Sequence, residues 1–172
     1  MPDFCYGTIY IGGRVTPGQV QTILTILADY RPEWLAMPEA VKGMVPPDYP
    51  HHIDFEPDRK HIVANGEVPW GAYGELEEYL QREGIRFQRE TEPAYGESGR
   101  IVYFQPDRGL VERYSLGDGE FDPIITLHDL RKAIASTWTR EQLIERLEAM
   151  LTIPALPPLE LAAGASQRVV AT

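Results

Sequence analysis

"NGEVPWGAYGELEEYL" (residues 65–80) decides how this chain is read, because it lies without a gap over "GGRVTPGQVQTILTIL" (residues 12–27). Gly13 meets Gly66, Val15 meets Val68, Gly18 meets Gly71, Ile23 meets Leu76 and Leu27 meets Leu80, a constant shift of 53 positions (13 to 66). Each copy reads as a strand, a glycine-containing turn and a helix. Glycine at such a turn has a sufficient backbone reason, since it takes positive φ at no steric cost. Neither copy carries the Gly-Lys-Ser/Thr end of a phosphate loop or the spacing of a dinucleotide fingerprint. The repeat therefore reads as half a fold used twice, over residues 5–30 and 60–84.

The flanking segments extend this pattern. "FCYGTIYIGG" (residues 4–13) is rich in β-branched and aromatic residues and reads as a strand. Thr16, Pro17 and Gln19 form a capping-box signature ahead of a helix over 17–30. Val20, Ile23, Leu24, Leu27 and Tyr30 make its buried stripe. Residues 32–50 are rich in proline and read as a long connection with one short helix near 38–43. "HHIDFEPDRKHIVANG" offers two short strands, 53–55 and 61–64, as a hairpin. A second helix is expected over 72–83 with its acids outward, closed by Gly84. A hairpin over 85–105 follows, and "LVERYSL" adds a further strand. Two helices, N-capped by Thr126 and by Thr139 with Gln142, end the regular structure.

The expected fold is α+β, a mainly antiparallel sheet with its helices on one face. Two β-α halves with additional strands suit the ferredoxin-like split β-α-β plan, followed by C-terminal helices. Residues 1–151 read as one domain and 152–172 as a proline- and alanine-rich tail.

Charge narrows the function. The 172 residues carry 26 acids against 16 bases, a net charge of −10, and 21 of the acids lie between Asp54 and Glu160. Such a surface repels phosphate backbones, so direct nucleic-acid binding is disfavoured. It suits docking onto a basic protein surface. No apolar run has the length of a membrane helix, and "MPDFCYGTIY" lacks a signal-peptide pattern. Cys5, the one cysteine, excludes an intramolecular disulfide, and a cytoplasmic setting is expected.

Three clusters bear on chemistry. His52, Asp54 and Glu56 alternate along one strand face, and His61 joins them if residues 53–64 form a hairpin. Two imidazoles and two carboxylates suit zinc, iron or manganese. Alternation on a solvated edge strand produces the same pattern without a metal. Asp118, Glu120 and Asp122, with Asp129, echo a calcium loop but put Pro123 at its glycine position, so a solvated acidic turn is expected. Trp70, Tyr73 and Tyr79 gather around the second turn and helix, residue types enriched at binding hot spots. No cofactor is expected.

Over "NGEVPWGAYGELEEYLQREGIRFQRETEPAYGESGRIVYFQP" the chain resembles an uncharacterised group of small bacterial proteins that recur in phage and mobile-element neighbourhoods. The shared pattern is a Tyr-Gly turn, a Glu-Leu-Glu helix, a Gly-Ile strand start and a hairpin ending in aromatic-x-Pro. It carries over no catalytic residue. The resemblance implies an inhibitor of a host defence complex, of the anti-CRISPR kind. The expected function is a non-enzymatic module that occupies a basic, nucleic-acid-binding surface of its protein partner. Trp70, Tyr73, Glu75, Glu78, Asp118, Glu120 and Asp122 are the expected contact residues. The alternative is a small metal-dependent enzyme built on residues 51–61.

Overall fold

In the computed structural model, which describes residues 3–93, 98–115, 123–136 and 139–162, the first strand organises everything else. β1 (Phe4–Val15) is followed by α1 (Pro17–Tyr30), β2 (Trp34–Pro38), a 3-10 helix (Glu39–Met44), β3 (Asp54–Glu56) and β4 (Ile62–Pro69). Next come α2 (Gly74–Arg82), β5 (Arg86–Thr91), β6 (Gly99–Gln105), β7 (Gly109–Ser115) and β8 (Pro123–Ile124). The chain continues through α3 (Leu127–Ile134), α4 (Arg140–Leu151) and β9 (Leu159–Leu161). Among the described residues the strands form one open sheet in the order β3-β2-β4-β1-β5-β6-β7-β8, with β9 alongside β1. Its pairs are antiparallel except β2 with β3 and β1 with β9. The fold is α+β with a mainly antiparallel sheet, as expected.

Alternation along β1 sorts the two faces of the sheet. Ile9 and Ile11 stand opposite Ala64 and Ile62 of β4, and Ile11 stands opposite Phe87 of β5. These side chains share one buried cluster with Val20, Ile23, Leu24 and Leu27 of α1 and Leu76, Tyr79 and Leu80 of α2. Burying each such aliphatic or aromatic group is worth about 1.5–3 kcal/mol, so this inner face carries most of the stability. The two helices touch through the Tyr30 and Tyr73 rings, 5.1 Å between centroids, and through Gln19 Nε2 donating to Glu83 Oε2 at 3.3 Å. Thr16 and Gln19 form the capping box their spacing predicts.

Four local expectations are corrected. The gap-free register of the two copies fails at the turn: Thr16 alone separates β1 from α1, whereas Trp70–Tyr73 separate β4 from α2. Asn65 and Gly66 lie inside β4 rather than in a turn, and Gly18, in the first turn of α1, is not the counterpart of Gly71. The proline-rich connection hides β2, whose Leu35, Ala36, Met37 and Pro38 are buried. Four consecutive buried residues leave no alternation to detect. β3 pairs with β2 and not with β4, so no hairpin forms over 53–64.

Within the segment expected as a tail, Leu159–Leu161 pair with β1. Gly13 N donates to the carbonyls of Pro157 and Pro158 at 3.2 and 3.1 Å, and Ala162 N donates to Val15 O at 2.7 Å. A Cβ on Gly12 would stand 2.2 Å from Pro157 O. Only glycine admits this crossing of the strand by the C-terminal segment.

Candidate functional site

The proposed metal ligands are not brought together. His52 Nε2 and Asp54 Oδ1 are 2.9 Å apart, while the other Asp54 oxygen accepts from Trp34 Nε1 at 2.9 Å. Glu56 pairs with Arg59. His61 is separated from them by the width of β2, because β2 lies between β3 and β4, and its Nε2 is 3.2 Å from Leu156 O. Among the described residues no three of His, Cys, Asp and Glu are grouped to hold a metal ion. Asp118, Glu120 and Asp122 lie outside the described residues. Asp129 serves the start of α3 instead, its backbone N–H donating to Thr126 Oγ1 at 3.1 Å. Burial pushes the Cys5 thiol up, against the pull of Arg89 and Arg100, so it stays protonated in an apolar strand.

Trp70 and Tyr73, three positions apart, have opposite fates. Trp70 is 58% exposed and holds φ at +55°, a left-handed conformation costly for a bulky residue. Tyr73 is fully buried; its hydroxyl donates to Gly7 O at 3.0 Å. It cannot contact a partner. Beneath this turn lies a polar network that the sequence pattern does not announce. Arg89 and Glu77 form an ion pair, Nε to Oε1 2.7 Å, with side chains only 8% and 10% exposed. Arg89 Nη1 donates to Gly71 O at 3.1 Å and to Thr91 Oγ1. Tyr73 N donates to Glu77 Oε1 at 3.0 Å. Burial raises the Glu77 pKa, and Arg89 draws it back down. Gly71, at φ +65°, leaves no room for a Cβ, which would stand 2.2 Å from Thr91 Cγ2. The expectation that the acids of α2 all face outward therefore fails at Glu77; Glu75 and Glu78 are exposed.

The outer face of the sheet carries what sequence reading missed. Phe4, Tyr6, Thr8 and Tyr10 alternate along β1, opposite Pro69, Glu67, Asn65 and Val63 of β4. Asn65 is in turn opposite Trp34 of β2, and Asn65 Nδ2 donates to Thr8 Oγ1 at 2.7 Å. Phe4 is 44% exposed, and Tyr6 and Trp34 are each 37% exposed. Tyr6 donates to Glu33 Oε1 at 2.9 Å. That hydrogen bond, with the charges of Glu33, Glu67 and Glu92, raises the phenol's pKa. Arg59 lies over the Trp34 ring, 5.0 Å from its centroid. The signal was available: period-2 aromatics at 4, 6 and 10 mark the face opposite Ile9 and Ile11.

At the far end of the same face, Tyr10, His61, Gln88, Glu90 and Leu156 line an open cleft of about 270 Å³. Tyr10 Oη is 3.4 Å from Glu90 Oε2, and Gln88 Nε2 donates to Glu90 Oε1 at 2.8 Å. Burial pushes the Tyr10 phenol up to about 12. It also raises the Glu90 carboxyl, against the pull of its two hydrogen bonds.

The chain matches no protein-family model, no curated protein and no solved structure. Among the described residues no helix is long and apolar enough to cross a membrane.

Proposed function

We propose that this protein is a non-enzymatic binding module that docks the outer face of its sheet onto a basic surface of another protein. The observation that carries this reading is the row of exposed aromatics, Phe4, Tyr6 and Trp34, among Glu33, Glu67 and Asp54. Aromatic anchors within a polar rim are the usual anatomy of an interface, and complementary charge steers encounter with a basic partner. Trp70, exposed at the end of β4 next to Phe4, widens the face. Glu75 and Glu78 extend the acidic surface onto α2. Asp118, Glu120 and Asp122 belong to the same proposal through their charge alone.

The scaffold for this face is a ferredoxin-like split β-α-β. β4 lies between β1 and β2, the strands joined through α1; β1 lies between β4 and β5, the strands joined through α2. Both helices contribute to the single inner core, which supports their lying together on that side and leaves the other side for a partner. A nucleic-acid channel of a host defence complex is a basic surface of the required kind, and an inhibitor of that class, acting in the cytoplasm, is the setting we favour.

Capture of partners from lysate by the immobilised full chain, wild type against Tyr6→Ala/Trp34→Ala, tests the reading. A basic protein retained by the wild type and lost by the double variant is expected. Equal retention by both rules out the outer face.

A further inference from the structure

Glu90 is a half-buried carboxylate. Its two oxygens receive a phenol and a carboxamide. Among the described residues no lysine, arginine or histidine lies within ion-pair distance of it. Glu77 and Glu56 fare differently, with Arg89 and Arg59 beside them, whereas half-buried Asp129 is held by the Thr126 hydroxyl. Burying an unpaired charge is costly, so proteins pair such groups or use them. The cleft in front of Glu90, at about 270 Å³, exceeds by several-fold the ~30 Å³ that one water occupies in the liquid. Its walls are an imidazole, a phenol, a carboxamide and the Leu156 side chain. In its neutral form His61 donates from Nε2 to Leu156 O, which leaves Nδ1 as an acceptor. Acceptors and one negative charge at the head, with leucine and tyrosine carbon along the side, suit a cation on a slim aliphatic stem.

We propose that this cleft receives one ammonium or guanidinium group, delivered as a lysine or arginine side chain of the protein that docks on the outer face. The inference rests on the reading of that face as a docking surface, since Tyr10 continues the row of Phe4, Tyr6 and Thr8 along β1. Tyr10 and Gln88 hold the carboxylate at the floor of the cleft. Leu156, brought there by the C-terminal segment that runs along β1, closes one side.

The test is an NMR titration of the full chain with Nα-acetyl-lysine methylamide, its arginine counterpart, the norleucine counterpart and spermidine. Saturable shifts of the Gln88 side-chain amide are expected with the lysine or arginine amide and not with norleucine. Glu90→Gln, which keeps the shape of the side chain, should weaken that binding about 10- to 100-fold, the worth of a charge-assisted hydrogen bond. Norleucine binding as well as lysine, or Glu90→Gln leaving the lysine amide unaffected, overturns the proposal. Spermidine binding more tightly than either amide assigns the cleft to a free polyamine and overturns the partner side chain. Titration by the lysine amide, together with partner capture unchanged by Tyr6→Ala/Trp34→Ala, overturns the docking reading alone and leaves the cation site standing.

Discussion

Replacing Arg89 with methionine removes the cation that faces Glu77 across 2.7 Å in a site whose two side chains are 8% and 10% exposed. Glu77 keeps one donor, the Tyr73 N–H at 3.0 Å, and Gly71 O loses the Nη1 donor. Breaking a buried pair from one side costs about 3–5 kcal/mol, because the remaining charge stays desolvated. A chain of this size loses about 2–4 °C of Tm per kcal/mol, so Arg89→Met should melt roughly 6–20 °C below the wild type. The effect carries a pH signature. Burial already raises the Glu77 pKa and Arg89 lowers it, so without Arg89 the carboxyl rises further. A carboxyl raised in the folded state favours folding at low pH and costs stability as pH climbs through its folded value. The loss should therefore be larger at pH 8 than at pH 5. Urea unfolding at both pH values measures it, and Glu77→Leu/Arg89→Met should recover most of the stability. A loss under about 1 kcal/mol, or one independent of pH, refutes the view that the pair anchors the Trp70 turn.

Trp70→Gly should hold or raise Tm by a few degrees, since relief of left-handed strain, about 1–3 kcal/mol, outweighs glycine's entropy cost; partner capture should fall all the same. Burial holds the Tyr10 and Tyr49 phenols at about 12 in the folded state, against about 10 unfolded. Their contribution is intact below pH 10 and lost as pH rises through 12, so Tm should drop across that window and Tyr49→Phe should flatten the drop. Partner binding should weaken between low and high salt, because exposed charges are screened beyond roughly 8–10 Å at ordinary ionic strength. Salt-independent affinity contradicts a charge-complementary interface.

Sequence pattern reached the elements whose side chains repeat with a clear period. α1, with its capping box and stripe from Val20 to Leu27, is where spacing puts it, as are the β5–β6 hairpin and β7. It missed β2 because four consecutive buried residues erase alternation, and β9 because pairing with Gly13–Val15 is decided by a segment about 145 residues away. At the site, period-2 reasoning saw His52, Asp54 and Glu56 share a face, which the His52–Asp54 contact fits. It could not foresee β2 inserted between that strand and His61. Tyr73 and Glu77 looked like surface residues of an amphipathic helix start. Glu77 is matched by Arg89, twelve residues later on a strand whose inward face is otherwise apolar or hydroxylic, and Tyr73 is held by Gly7 O and the Tyr30 ring, both distant in sequence.

Hydroxyl-radical footprinting of the captured complex against the free chain tests the central claim most directly, because it reads side-chain exposure residue by residue. The account predicts that Phe4, Tyr6, Trp34 and Trp70, exposed in the free chain, become protected together, while Leu127, Ile134 and Ile144 of the C-terminal helices stay reactive. Protection confined to those helical residues, with Tyr6 and Trp34 unchanged, contradicts the outer sheet face as the interaction surface.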